Sequence, residues 1–153
     1  MTDFQHLARS LLPAVLAAGV VEMKHYLAGV TVETKSDESP VTAADREAEV
    51  ILLASLATVA PDIPVVAEES VAEGRIPAIG RRFFLVDPLD GTREFINRRD
   101  EFTVNIALVE DGRPSFGIVY APALGDLYVT LGPSRSAHAR IAPDSAAPAI
   151  ADC

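Results

Sequence analysis

The sequence predicts an α+β fold in which a layered antiparallel sheet carries two long N-terminal helices packed on one face. In roughly the first 60 residues, apolar side chains recur every three to four positions, the spacing of one face of a helix. From residue 63 onward the apolar residues alternate with polar ones, which is typical of strands with one buried face. Helices followed by a run of strands favour a meander sheet with helices on one side.

The first helical pattern runs from Phe4 to Met23. Pro13 interrupts it, because proline lacks the N–H that the helix interior needs. The sequence therefore leaves two alternatives: one helix that kinks at Pro13, or a short helix followed by a second that starts near Leu12.

A short ribbon and a second helix follow the first one. Residues 30–35 alternate and are β-branched, which fits a strand. Thr42 is a candidate N-cap, and Asp45 three residues later is close to a capping-box partner. The apolar face that follows predicts a helix that ends before Pro61.

The period-two pattern predicts the strands of the sheet. They are residues 63–67, 81–87, 102–110, 114–120 and 126–131, and 136–141 could be one more. Asp111-Gly112 between two of these segments predicts a tight hairpin. Pro88 is expected to end the second strand, since proline cannot donate to the ladder.

Composition restricts the class of function and the compartment. The chain has 22 acidic and 13 basic residues among 153, which argues against a nucleic-acid polymer as partner. Cys153 is the only cysteine, so no internal disulfide can form and a reducing compartment is expected. The sequence predicts no signal peptide and no transmembrane segment. We expect a cytoplasmic protein, with peripheral association with the inner membrane left open.

Acidic residues stand where the predicted elements end. They are Asp45 in the first turn of the second helix, Glu68 and Glu69 after strand 63–67, Asp87 at the end of strand 81–87, and Asp90 three residues later. If the two strands are neighbours, their ends place Glu68, Asp87 and Asp90 around one point. Carboxylates packed so closely repel each other, and a hard divalent cation such as Mg²⁺ removes the conflict.

A phosphate cradle is predicted directly after the two aspartates. Gly91-Thr92 opens what the sequence predicts as a short helix over 92–97, whose free N–H groups suit a phosphate oxygen. Metal ions and N–H groups in one small volume predict hydrolysis of a phosphate ester. Two simpler interpretations stay open: an ordinary Asx-type turn with solvated acids, and calcium binding without chemistry.

Three motifs carry a resemblance to a known family. They are KSDESPVTAADREAE (35–49), VAEES (66–70) and LVDPLDGTREFINRRDEFTVNIAL (85–108). They resemble the lithium-sensitive, magnesium-dependent phosphatases related to inositol monophosphatase, and the longest motif is most similar to the 3'(2'),5'-bisphosphate nucleotidase branch. The resemblance covers about residues 12–131.

The resemblance implies roles for individual residues. The implied metal ligands for two or three Mg²⁺ ions are Glu68, Asp87, Asp90 and the Leu89 carbonyl. Gly91 and Thr92 would hold the phosphate together with Glu68. The implied catalytic residues are Asp45, Glu68 and Thr92, with Asp45 hydrogen-bonded to the Thr92 hydroxyl and the pair activating water with Glu68. Lys35 and Asp37 would lie in a mobile loop near the site, with Glu69 behind the ligands. Lithium is the expected inhibitor.

The implied reaction is removal of the 3'-phosphate of adenosine 3',5'-bisphosphate, or of its sulfated form, in sulfate assimilation. Members of the family are about twice as long as this chain. The resemblance therefore implies that residues 1–141 are the N-terminal metal- and phosphate-binding half of an αβαβα sandwich. Residues 142–153 would be a loop or the start of a C-terminal half that carries a further metal ligand. An inositol monophosphatase-like phosphatase, and an inactive metal-binding or oligomerising fragment that associates through exposed sheet surface, remain alternatives.

Overall fold

A computed structural model of the protein describes residues 1–29, 31–35 and 40–144. The helices are α1 (Phe4–Ala28), α2 (Ala43–Val59), α3 (Glu68–Ala72) and α4 (Thr92–Ile96). The strands are β1 (Val32–Thr34), β2 (Pro40–Thr42), β3 (Val65–Ala67), β4 (Arg82–Asp90), β5 (Thr103–Glu110), β6 (Arg113–Ala121), β7 (Asp126–Gly132) and β8 (Arg135–Arg140). The predicted α+β fold is confirmed.

Six strands form one sheet in the order β3-β4-β5-β6-β7-β8, while β1 and β2 pair in a separate antiparallel ribbon. From β4 to β8 the sheet is the predicted antiparallel meander. The first pair differs, because β3 and β4 run parallel. Asp111 and Gly112 both have positive φ, as a two-residue hairpin turn between β5 and β6 requires.

The core lies between the sheet and the two long helices, α1 and α2, which pack on each other. Alternate residues of β5 and β6 supply its sheet side: Val104, Ile106, Leu108, Phe116, Ile118 and Tyr120, all buried. Burying a large apolar side chain contributes about 1.5–3 kcal/mol, so this face dominates the stability of the fold. On the opposite face Leu85, Val119 and Tyr128 remain 40–51% exposed.

The N-terminal helix is a single helix, which decides between the two alternatives left open by Pro13. Asp3 caps it by accepting a hydrogen bond from the His6 backbone N at 2.9 Å. Pro13 lies on the exposed side of α1, where a missing N–H leaves no buried group unsatisfied. By length and composition alone, α1 would be long and apolar enough to cross a membrane, a test that core helices also pass. The predicted absence of a transmembrane segment therefore stays a prediction.

The prediction that Pro88 ends the strand is wrong. β4 continues through Pro88 to Asp90, and its pairing with β5 shifts between Asp87 and Asp90. A bulge leaves residues of one strand unpaired, so a proline without an N–H is tolerated there.

The helix α3 was not predicted. The proposed boundary at residue 141 also stays a prediction, because residues 145–153, with Cys153, lie outside the described part of the chain.

Candidate active site

The parallel pairing of β3 and β4 brings Glu68 and Asp87 together. Ala67 pairs with Val86, and the next residue in the chain is Glu68 after the first and Asp87 after the second. Burial raises the pKa of Asp87 to about 8, and a hydrogen bond with Glu68 and the nearby charges of Glu68 and Asp90 act in the same direction. At this sheet edge Asp87 therefore lies within range of the charges of both Glu68 and Asp90.

One oxygen of Asp87 has no partner. Within the described ranges, Asp87 Oδ1 is buried and makes no hydrogen bond. Buried acceptors in folded proteins are nearly always paired with a donor, ordered water or an ion. The free oxygen, together with the oxygen-rich neighbours Glu68 and Asp90, is what a hard divalent cation requires.

Asp45 and Thr92 form the second half of the site. Thr92 Oγ1 lies 3.0 Å from Asp45 Oδ1 and 3.2 Å from the Leu89 carbonyl oxygen, both of which can accept its proton. The other oxygen of Asp45 accepts hydrogen bonds from the Thr42 backbone N at 2.8 Å and the Thr42 hydroxyl at 2.6 Å. Asp45 is fully buried, so these contacts hold its carboxyl group at one orientation beside the bulge of β4.

The turn into α4 depends on Gly91. Its φ of 92° is in the left-handed region, which glycine adopts at no steric cost. A Cβ at this position would lie 2.7 Å from the Glu101 carbonyl oxygen. Glycine therefore lets the backbone of 91 and 92 pass close under the segment leading into β5.

Replacing Gly91 with alanine should destabilise the protein more than replacing Gly74. Gly74 also has a positive φ (84°), but a Cβ there would meet nothing within 4 Å. Both changes carry the left-handed cost of about 1–2 kcal/mol. Only Gly91→Ala adds a collision with backbone. We therefore expect its free energy of unfolding in urea to fall by about 2 kcal/mol more than that of Gly74→Ala. Equal losses would show that the turn can move away from residues 101 and 102.

Glu49 positions the helix that carries Glu68 and Glu69. Its buried carboxylate accepts hydrogen bonds from the Glu69 N at 2.7 Å, the Ser70 N at 2.8 Å and the Ser70 hydroxyl. These are first-turn groups of α3, where N–H groups lack partners within the helix. Sequence reasoning missed Glu49, although it lies four residues after Asp45 and hence on the same face of α2.

Lys35 contacts both acidic residues of α3. Its Nζ lies 2.9 Å from Glu68 Oε1 and 2.7 Å from Glu69 Oε1, and its side chain is only 6% exposed. Burial lowers the pKa of Lys35, but the hydrogen bonds to Glu69 and Glu68 outweigh it and raise that pKa to about 12. Burial also raises the pKa of Glu69, against the effect of Lys35. Asp37, predicted in the same loop, lies outside the described residues.

In the described part of the chain, no three His, Cys, Asp or Glu side chains are arranged to hold a metal ion. Lys35 explains part of this, because its ammonium group engages Glu68 on one side. Glu68 also lies beside Asp87, and its proximity raises the pKa of that carboxyl group. The residues fit a cation in donor type and in the free oxygen of Asp87, and the roles assigned to Glu68, Asp87, Leu89 and Asp90 remain predictions.

Comparison with known sequences identifies the class of protein to which this fold and this site belong. Residues 3–137 match the model of the inositol monophosphatase family, and the chain belongs to that family. Among curated relatives, it is similar to the 3'(2'),5'-bisphosphate nucleotidase CysQ of Salmonella typhimurium, with 54% identity over 94 residues. That match covers 61% of this chain and 38% of the relative. The CysQ of Haemophilus influenzae is 35% identical over 135 residues, covering 86% of this chain and 49% of the relative.

Solved structures show the same similarity. CysQ from Bacteroides thetaiotaomicron superposes with a TM-score of 0.72 at 32% identity, covering 96% of this chain and 54% of that one. The inositol monophosphatase of Thermotoga maritima gives a TM-score of 0.72 at 30% identity, covering 83% of this chain and 48% of that one. The chain therefore spans about half the length of the solved proteins that it matches.

Proposed function

We propose that this chain belongs to a magnesium-dependent phosphomonoesterase that removes the 3'-phosphate of adenosine 3',5'-bisphosphate, or of its sulfated form, to give AMP in the first case. The observation that supports this most directly is that two arrangements occur together in the site. The carboxyl groups of Glu68 and Asp87 are neighbours, and Asp45 holds the hydroxyl of Thr92. Family members are generally metal-dependent and lithium-sensitive.

The proposed metal ligands are Glu68, Asp87, Asp90 and the Leu89 carbonyl. When bound, Mg²⁺ supplies a water of lowered pKa and stabilises the charge on the leaving oxygen. The carbonyl of Leu89 already faces the Thr92 hydroxyl at 3.2 Å, so one residue of the bulge borders both parts of the site.

The chain's own residues orient the water and the ester. Asp45 accepts the Thr92 proton, which leaves the lone pairs of the Thr92 oxygen free to accept a hydrogen bond from an incoming water. Thr42 keeps Asp45 in place, so Asp45 Oδ1 is held beside the Thr92 hydroxyl before substrate arrives. The backbone N–H groups of Gly91 and Thr92 supply donors for a phosphate oxygen. Glu68 is the proposed second partner of the water that Thr92 orients.

The substrate class follows from the relatives. The curated proteins that match at 50–54% identity are named 3'(2'),5'-bisphosphate nucleotidases. Several similar structures are inositol monophosphatases at 25–32% identity, which keeps inositol phosphates as the second candidate. The nucleotide is favoured because the curated matches are the more similar ones.

The test compares phosphate release from adenosine 3',5'-bisphosphate and from inositol 1-phosphate by the purified chain. We expect Mg²⁺-dependent release from the nucleotide, loss of release with a chelator, and inhibition by lithium. Thr92→Val keeps the shape of the side chain and removes the hydroxyl, so it should reduce kcat more than 100-fold. Preference for inositol phosphate would replace the proposed substrate, and no release from either by a chain that binds cation would favour the inactive metal-binding fragment.

Two further expectations stay predictions. The exposed sheet face that includes Leu85, Val119 and Tyr128 suits association between chains, in agreement with the predicted homo-oligomer. The cytoplasmic location and the role in sulfate assimilation depend on the proposed substrate.

A further inference from the structure

A small apolar cluster, distinct from the main core, contains a residue from each segment around the Asp45–Thr92 pair. Its buried members are Ala44, Leu89, Phe95 and Phe102. Ala44 precedes Asp45 in the first turn of α2. Leu89 lies in the bulge of β4, and Phe95 is in α4 together with Thr92. The packing of these side chains therefore determines where the two members of the pair lie.

Tyr26 packs on this cluster from α1, a helix that supplies no residue to the proposed site. Its ring centroid lies 5.5 Å from that of Phe95 and 5.2 Å from that of Phe102. The two phenylalanine rings meet edge to face at 4.9 Å. At centroid distances of about 4.5–7 Å, aromatic pairs stabilise each other beyond the area that they bury. The ring of Tyr26 therefore holds both phenylalanines.

Tyr26 also holds the segment between α4 and β5. Its hydroxyl donates to Asp100 Oδ1 at 2.6 Å, and the guanidinium carbon of Arg98 lies 5.5 Å from its ring centroid. Arg98 has a φ of 58°, a left-handed conformation that is uncommon for residues other than glycine and persists where the surroundings hold it. Two contacts from one side chain thus stabilise this bend.

The residues that Tyr26 holds lie against the proposed phosphate cradle. The Phe95 N–H donates to the Gly91 carbonyl oxygen at 2.9 Å. A Cβ on Gly91 would lie 3.3 Å from Phe102 Cα, so the two backbones are close together. One residue after Gly91, the Thr92 hydroxyl lies 3.0 Å from Asp45 Oδ1. A shift of either phenylalanine would therefore move that hydroxyl relative to Asp45.

We propose that Tyr26 is a positioning residue: by packing on Phe95 and Phe102, its ring keeps α4 in place, so that the Thr92 hydroxyl stays within hydrogen-bond distance of Asp45. Its effect on rate rests on the proposed function, whereas its effect on α4 can be measured without turnover. A displacement of about 1 Å in a group that orients reactants can lower the rate about 100-fold. Tyr26 acts one contact further away, so we expect roughly a tenfold effect.

The first measurement is hydrogen exchange at the Phe95 amide in three variants of the whole chain. Tyr26→Ala removes the ring, whereas Tyr26→Phe keeps it and loses only the bond to Asp100. Leu27→Ala is the matched control, because this neighbouring side chain is 73% exposed and lies outside the cluster. We expect exchange about tenfold faster in Tyr26→Ala and unchanged in the other two. Exchange at the Ile106 amide, in the middle of β5, should stay the same in all three.

The second measurement separates positioning from a general loss of structure. The rate of phosphate release from adenosine 3',5'-bisphosphate with Mg²⁺ is measured for Tyr26→Ala alone and in combination with Thr92→Val. If Tyr26 acts through the Thr92 hydroxyl, Tyr26→Ala lowers kcat about tenfold in the first case and has no further effect in the second. Tyr26→Phe, which retains the ring, should keep the kcat of the wild type.

Each outcome decides a separate question. Exchange at Phe95 in Tyr26→Ala equal to that in Leu27→Ala overturns the role of Tyr26 in holding α4. Equal reductions of kcat with and without the Thr92 hydroxyl overturn its action through Thr92. No phosphate release by the wild type overturns the proposed function, and exchange at Phe95 then still decides whether Tyr26 holds α4. If Tyr26→Ala does not fold, Tyr26→Leu replaces it, and the same faster exchange is required of that variant.

Discussion

Replacing Asp87 with asparagine is expected to remove divalent-cation binding while stabilising the metal-free protein. The carboxyl group of Asp87 lies within range of the charges of Glu68 and Asp90 and, among the described residues, has a buried oxygen without a partner. As a proposed ligand it contributes a negative charge that asparagine lacks, so cation affinity should fall at least 100-fold. Without a cation, the same charge is unfavourable, because the site is partly buried and already acidic.

The pH dependence gives this prediction a second readout. The pKa of Asp87 is raised to about 8 in the folded protein, above its value in the unfolded chain. Between about pH 4 and pH 8 the folded state therefore holds a proton that the unfolded state releases. The contribution of this group to metal-free stability is present below pH 4 and is lost as pH rises towards 8. Asp87→Asn should weaken the decline in stability over this window.

Calorimetric titration with Mn²⁺ and urea unfolding in chelator at several pH values check the two effects. Asp62→Asn is the control, because it removes a carboxylate from the exposed turn after α2, at the other end of that helix from Asp45. It should change neither cation affinity nor the pH dependence. Unchanged cation affinity in Asp87→Asn would contradict the assignment of Asp87 as a ligand, whatever happened to stability.

Replacing Glu49 with alanine is expected to cause a large loss of stability. The Glu49 carboxylate is 3% exposed and accepts hydrogen bonds from Glu69 N, Ser70 N and the Ser70 hydroxyl. Alanine would leave these donors without partners in the interior, at a cost of roughly 1–3 kcal/mol each. Allowing for entry of water, we expect a loss of about 3 kcal/mol in the free energy of unfolding. The helix α3 should become mobile, and Glu68 and Glu69 with it.

Glu47→Ala is the matched control on the same helix. Glu47 Oε2 lies 3.1 Å from His25 Nε2, and the Glu47 side chain is 55% exposed. Exposed pairs contribute at most about 1 kcal/mol, so this change should have little effect. Urea unfolding compares the two variants, and hydrogen exchange at the amides of Glu69 and Ser70 reports α3 directly. If both amides stay protected in Glu49→Ala, α3 does not depend on Glu49.

Several elements could be predicted from local sequence alone. The alternation in residues 102–120 determined which side chains of β5 and β6 face the core, and Asp111-Gly112 located the turn between these strands. Thr42 and Asp45 are three residues apart, so the start of α2 could be predicted with its cap. These features depend on contacts between near neighbours in the chain, which residue spacing describes directly.

Part of the site could also be predicted, because strand ends concentrate the acidic residues that follow them. Glu68 and Asp87 meet as expected once β3 and β4 are neighbours. The hydrogen bond between Asp45 and Thr92 was implied by the family resemblance and agrees with the observed distance of 3.0 Å.

The tertiary structure alone decided the rest. Pro88 lies within β4 because the pairing with β5 shifts there, and such a shift depends on a strand that follows later in the chain. Glu49 reaches α3 across 20 residues of sequence, and Glu22 is buried because α1 packs on α2 and the sheet. Spacing encodes periodicity and capping, which are local. The partner of a buried carboxyl group depends on packing between distant segments, and no local pattern of residues specifies it.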